Sequence, residues 1–503
     1  MRAITLLLAA LPLAGGCDLF ASDARDIEAS GAADAGPAQV DPSAECPIYQ
    51  GGGTVCVGSY EVRNQGDVEE IADCARITGD LELGANGLVE IALPLLERVD
   101  GTVAIHDSFS LERILLPELK EIGLGLESRG LALPVFVELA VPRLRTIDGG
   151  MYVSPMAPMA DWSLPCLDSI GDFALFEVPT TAPSLISIGG ELNGPLDAPL
   201  LASVGGELFY TGDQNLPSLR LVGGLSLYST TGLALPELRT ITGKATFCFF
   251  GGETPSFDTL SLPQLRRAGA MSLCPWPALT TVDLPRLQAI TGPMGVGGLD
   301  IGAGAGLTSV ELPALTAING PGTFAVAADL SVLASAGDLT VQASVTVPAL
   351  TTSRSLLLYV AFDAPSLATV VGNVTTYDAI DLPSLATVSG DMNLYSTSGT
   401  LVFPALTSVG GHVLAFQTQA PELRAPLLTS IGSPSSSGYL RIESNPVLAN
   451  IEFPSLTSLA KSLLIRYNPQ LPNCQALALR DQLIAAGWTG VRRIFGNGTG
   501  TCP

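Results

Sequence analysis

The chain has 503 residues, a formal net charge of −24 and a pI near 4.3, with 47% hydrophobic and only 14% charged residues. That much apolar material excludes wholesale disorder, and an acidic chain without Lys/Arg stripes excludes a nucleic-acid partner. Beyond the N-terminus no run reaches 18 apolar residues, and the strand-like pieces of about five residues fall short of the roughly 9–11 a membrane barrel needs, so the body is expected to be soluble.

In chain order, Arg2 supplies a positive start, and residues 3–16 form an uncharged, mostly apolar stretch. About 14 such residues cannot cross a hydrocarbon layer of roughly 30 Å, so residues 1–16 read as a secretory signal peptide. The stretch ends in Leu13-Ala14-Gly15-Gly16-Cys17, which resembles the bacterial lipobox. The resemblance implies cleavage before Cys17, acylation of Cys17 and a cell-envelope location, at the outer membrane or cell surface, with membrane contact through the lipid alone. Residues 17–45 carry seven acids against Arg25 and read as a disordered tether.

Eight cysteines follow, an even number that suits disulfides in an exported chain, though eight allow 105 pairings. No CxxC spacing occurs, and the two histidines, His106 and His412, lie far apart, so neither a metal centre nor a cofactor is expected.

From residue 94 a single pattern repeats. Leu93-Pro94-Leu95-Leu96-Glu97-Arg98-Val99-Asp100-Gly101 returns as LPELKEIG at Pro117, APSLISIGG at Pro183, LPELRTITG at Pro236 and LPSLATVSG at Pro383. Seventeen copies run from Pro94 to Pro454, and a worn copy without proline lies at residues 329–337, giving about 18 coils. Proline suits a corner, the Leu after it and the Ile or Val before glycine face inward, glycine permits a bend, and a short alternating strand follows. One unit cannot bury its own apolar face; stacked units can.

The run Leu440-Arg441-Ile442-Glu443-Ser444-Asn445-Pro446-Val447-Leu448 and its second copy at residues 463–471 resemble leucine-rich repeats, and more closely the receptor L-domain group of cell-surface proteins. The resemblance covers residues 56 to about 472. It implies a mainly β fold, a right-handed parallel β-solenoid with coils of about 18–28 residues, and roles in adhesion or receptor binding rather than catalysis. Asparagines missing from the middle copies favour a straight β-helix over a curved horseshoe. The expected organisation is an N-terminal cap over residues 46–80, a solenoid over 81–472 and a disulfide-linked C-terminal cap with a small α-helix over 473–503.

Solenoid ends expose strand edges and need covering. Cys56 and Cys74 bracket the N-terminal cap. Cys474 and Cys502 bracket a helix over residues 475–486, with Leu477, Leu483 and Ile484 as its apolar face and Gly487 past its end. Cys248 and Cys274 lie one long coil apart, which leaves Cys46 and Cys166.

Catalytic motifs are sparse. There is no G-x-S-x-G elbow, and His106-Asp107-Ser108 would alternate across a strand rather than converge. The glycine-rich stretch 292–306 holds only Asp300 and reads as a loop or slack coil. Tyr359, Tyr377, Tyr395 and Phe416 each follow an inward position by one residue, at spacings of 18, 18 and 21, and Tyr228 is an earlier example. These are expected to form an outward column whose ring faces could serve as a platform for sugars or a partner protein. The expected function is non-enzymatic binding of a surface protein or polysaccharide. A polysaccharide lyase or hydrolase on a β-helix, and a spacer without a ligand, are the alternatives.

Overall fold

A computed structural model describes residues 46–502, apart from 85, 107, 130–135, 154–161, 213, 228–231, 249–255, 275, 293–296 and 434–437. The expectations for residues 1–45, Cys17 included, and for Tyr228 and Asp107 lie outside these residues. Within them the protein is a parallel β-solenoid with two helices, α1 (Gln65–Glu70) and α2 (Asn473–Ala485).

Each coil begins at the proline. In Leu116-Pro117-Glu118-Leu119 the Leu119 N–H donates to the Leu116 carbonyl at 3.2 Å, a four-residue turn with proline where its fixed φ is pre-set. Both leucines are fully buried, as are Leu93 and Leu96 one coil earlier. Each such side chain stabilises its coil by about 2 kcal/mol. The worn copy keeps the same turn without proline, Leu333 N–H to Leu330 carbonyl at 3.0 Å. The apolar residue before the turn's proline is therefore as much a core position as the leucine after it.

Next come two residues of strand, such as Glu121–Ile122 and Thr146–Ile147, whose Ile side chains are inaccessible to solvent. The glycine that follows is there for closeness rather than for a bend. A Cβ on Gly205 would overlap the carbonyl oxygen of Gly189 in the coil before, and one on Gly189 would overlap that of Gly171. None of these three has a positive φ. Only a residue without a side chain lets these backbones approach.

The longest ladder comprises the front strands, counted among the described residues as 21 rungs from Tyr60–Val62 to Val491–Phe495, all paired in parallel. The proline motif marks only about 18 coils, because the end coils lack it. At roughly 4.8 Å per rung the stack runs about 95 Å. The back strands form separate short sheets.

Both ends are tied. Asn64 caps α1 by accepting from the Gly66 N–H at 2.8 Å, while Asp67 accepts from the Asn64 N–H at 3.0 Å. Disulfides join Cys56 to Cys74, Cys474 to Cys502, Cys248 to Cys274 and Cys46 to Cys166. The last spans 120 residues and fastens the segment before the first rung to the turn that leads into the sixth, Ala174–Phe176. Helix α2 corrects one expectation. Leu483 is buried as expected, but its companions in the packed stripe are Ala476 and Leu479, whereas Ile484 is 41% exposed and Leu477 half-buried. Gly487, at φ +92°, ends it as expected of a C-terminal glycine.

Candidate binding surface

Along each front strand, alternate residues enter the core. Leu356 and Leu358, Val374 and Thr376, Met392 and Leu394, and Val413 and Ala415 are all buried, so the residue following each pair points outward. Tyr359 and Tyr377 are 48% and 43% exposed, and Tyr395 and Phe416 are half-buried. Tyr395 and Phe416 are register partners.

The rings are not arranged as an open platform. Tyr359 stacks on Tyr377 with centroids 5.2 Å apart and planes within 7°, and Tyr377 on Tyr395 at 5.4 Å and 16°. The faces are turned to one another along the solenoid axis, so the expectation of outward ring faces is corrected. The column presents ring edges at one-coil spacing. Parity located the column but carried no information about ring rotation.

The corner behind this column has a backbone signature. Ser396, Gln417, Ser444 and Tyr467 hold φ of 51°, 55°, 58° and 60°, left-handed values uncommon for residues with side chains. The next residue inward is buried in each case: Thr397, Thr418, Asn445 and Asn468. Asn468 Oδ1 accepts from Asn445 Nδ2 at 2.9 Å, and Asn445 Oδ1 accepts from the Thr418 N–H at 2.8 Å. Asn468 Nδ2 donates to the Ile442 carbonyl at 3.1 Å and to Asn497 Oδ1 at 3.0 Å. This side-chain ladder holds the corners from Thr418 to Asn468 in line, beyond Tyr359 and Tyr377 and towards the C-terminal end of the face.

Beside Tyr395 lies a second group. His412 Nδ1 is 2.9 Å from Asp391 Oδ1, its Nε2 is 2.9 Å from Asn393 Oδ1, and its ring stacks on Tyr439 at 4.3 Å. Burial lowers the His412 pKa below the usual imidazole value, outweighing Asp391. Burial also raises the Tyr439 hydroxyl. Leu414, outward by parity, is only 6% exposed, so neighbouring side chains overlay this part of the face.

Towards the C-terminal end the face turns cationic. Arg441 Nε donates to Glu443 at 2.5 Å, and the Arg466 guanidinium lies 3.1 Å from the same carboxylate. Burial pushes the Glu443 carboxyl up, but hydrogen bonds from Arg441 and Arg466 together hold it below the usual range. Arg441 also lies over the Phe416 ring at 5.9 Å, and Arg466 over both Tyr467 and Phe495 at 5.8 Å. Nothing but the spacing of aromatics marked this region in the sequence; the arginines come together only through strand register.

The other sequence candidates lie elsewhere. His106 faces out 3.4 Å from Glu82, while Ser108 is buried with its Oγ accepting from the Leu111 N–H at 3.2 Å, so the two do not converge. Asp300 is exposed on the strand Leu299–Ile301, an ordinary rung. The back of the solenoid carries a groove of 520 Å³ that includes Phe362, Asp363, Ile380 and Asp381, with no Lys, Arg, His or Tyr in its lining. Among the described residues no group of three or more His, Cys, Asp or Glu is placed to hold a metal ion, and no helix is long and apolar enough to cross a membrane. No protein-family model and no curated protein matches this chain.

Proposed function

We propose that the protein is a non-enzymatic binding protein of a bacterial cell envelope, exported, anchored through acylated Cys17, and recognising an extended polysaccharide along its front face. The observation that carries the reading is the column of Tyr359, Tyr377 and Tyr395, partly exposed and repeating at 5.2–5.4 Å. A repeat of that size is close to the length of one sugar residue in an extended chain. Each coil then meets one sugar with a ring edge and a phenol hydroxyl, which both donates and accepts. A row of ring edges repeating coil by coil suits retention of a polymer along its length.

The test is binding of envelope polysaccharides to the whole chain in detergent, comparing wild type with the triple variant Tyr359→Phe/Tyr377→Phe/Tyr395→Phe. The substitutions keep the stacked rings and remove only the hydroxyls. An affinity loss of about 10-fold or more, with an unchanged circular dichroism spectrum, is expected from three lost hydrogen bonds. Equal binding by the variant would sink the assignment of this column.

A further inference from the structure

We infer that the glycan taken by this face is anionic, and that Arg466 and Arg493 hold its acidic substituents. The inference rests on the reading that the front face binds polysaccharide, and it adds the chemical class. Its basis is the segregation of charge along one sheet. In a chain of net charge −24, the outward positions of the last three rungs hold Arg441, Arg466 and Arg493 against Glu443. The outward positions of the early rungs, by contrast, include Glu61, Glu82 and Glu127. An anionic polymer is repelled from the N-terminal end of the face and attracted to the other.

The arginines are prepared for the task to different degrees. Glu443 occupies Arg441 and one side of Arg466. Arg466 nonetheless keeps 21% of its side chain exposed, with its guanidinium 5.8 Å from the centroids of the Tyr467 and Phe495 rings. Arg493 is exposed on the last rung and has no ion-pair or hydrogen-bond partner among the described residues. Register puts Arg493 beside Leu464 and, one rung earlier, Arg441, while Arg466 stands beside Phe495 in the adjacent row that contains Phe416. A polymer running along the tyrosine edges therefore reaches the outer end of Arg466 and the open guanidinium fork of Arg493 within the next few sugars. A planar fork with parallel N–H donors matches a carboxylate or a sulfate better than any neutral hydroxyl.

The experiment measures binding of polygalacturonate, dextran sulfate and unsubstituted dextran to the whole chain in detergent at 50 and 300 mM NaCl. Polygalacturonate or dextran sulfate is expected to bind, the preferred one identifying the acidic group. Binding should weaken about 10-fold or more between the two salt concentrations, as partly exposed charges are screened. Arg493→Gln should weaken it several-fold, as should Arg466→Gln, while Arg480→Gln on α2, whose partner is Asp481, should not. Arg493 is exposed, so its replacement leaves the fold intact even if Arg466→Gln disturbs the Glu443 cluster. Equal binding of dextran, or salt-independent binding untouched by Arg493→Gln, overturns the charge assignment and leaves the glycan reading standing. Binding of none of the three removes both.

Discussion

Asn468 is fully buried and uses both ends of its amide, accepting from Asn445 and donating to Ile442 and Asn497. Thr397, two coils before Asn445, occupies the equivalent corner with its hydroxyl buried and unpartnered. The two residues should therefore respond oppositely to losing their polar atoms. Asn468→Ala strands several buried groups and is expected to cost about 3 kcal/mol or more in urea unfolding. Thr397→Val keeps the shape and removes an unmatched hydroxyl, and should be neutral or stabilise by up to about 1 kcal/mol. A destabilisation of Thr397→Val as large as that of Asn468→Ala would show that the hydroxyl has a partner after all. The Asn-Pro pairs were legible because an amide at a fixed place in a repeat is chemically distinctive. The threonines were not, since a Thr in a β-rich sequence reads equally well as a strand residue.

Elements were legible wherever one periodicity dominated. The proline turns and the Ile or Val before glycine recur at one-coil spacing, and each has a single physical explanation. The sequence of helix α2 marks its place and, of its face, Leu483 alone: Leu477 and Ile484 attract attention, yet Ala476 and Leu479 join Leu483 against the surface offered by the last coils. Small alanines pack where large side chains cannot, a choice made by the neighbours and not by hydrophobicity alone. This helix and the final strand Val491–Phe495, which pairs on one side only, are bracketed by the Cys474–Cys502 bridge. Closing a loop of that length removes about 3.5 kcal/mol of disorder from the opened state in the chain-entropy model. In Cys474→Ala/Cys502→Ala, amide hydrogen exchange is expected to accelerate first at residues 491–495 and in α2. The coils between Thr352 and Phe416 should keep their protection, because each coil contacts only its neighbours. Uniform acceleration along the chain would refute that locality.

At the scale of the molecule, the coils around the tyrosine column are interchangeable modules. Thr369–Val370 pairs with Thr387–Val388, Val374 with Met392 and Phe362 with Ile380, all at an offset of 18 residues. Deleting residues 369–386 therefore removes one complete turn and brings Tyr359 beside Tyr395. The shortened protein should elute in gel filtration without aggregate and keep a native β-type circular dichroism spectrum. Deleting only residues 369–377 leaves half a coil out of register with its neighbours on both sides and should give aggregate. If both deletions misfold alike, the coils are not modular. Repetition made the solenoid readable before any contact was known. The cationic end of the face escaped notice because its arginines lie more than 20 residues apart and become neighbours only through stacking.

The Cys46–Cys166 bridge has a mechanical consequence. A pull arriving along the chain that precedes Cys46 passes through a covalent bond directly into the sixth rung. The five rungs before it, with α1, lie off the line of force. A load applied between that point and a ligand held at Tyr359 is borne by the middle coils, where it acts along the stack across their inter-rung hydrogen bonds. The N-terminal cap, whose strand Thr54–Cys56 pairs on one side only, is spared a tension that would peel it open one rung at a time.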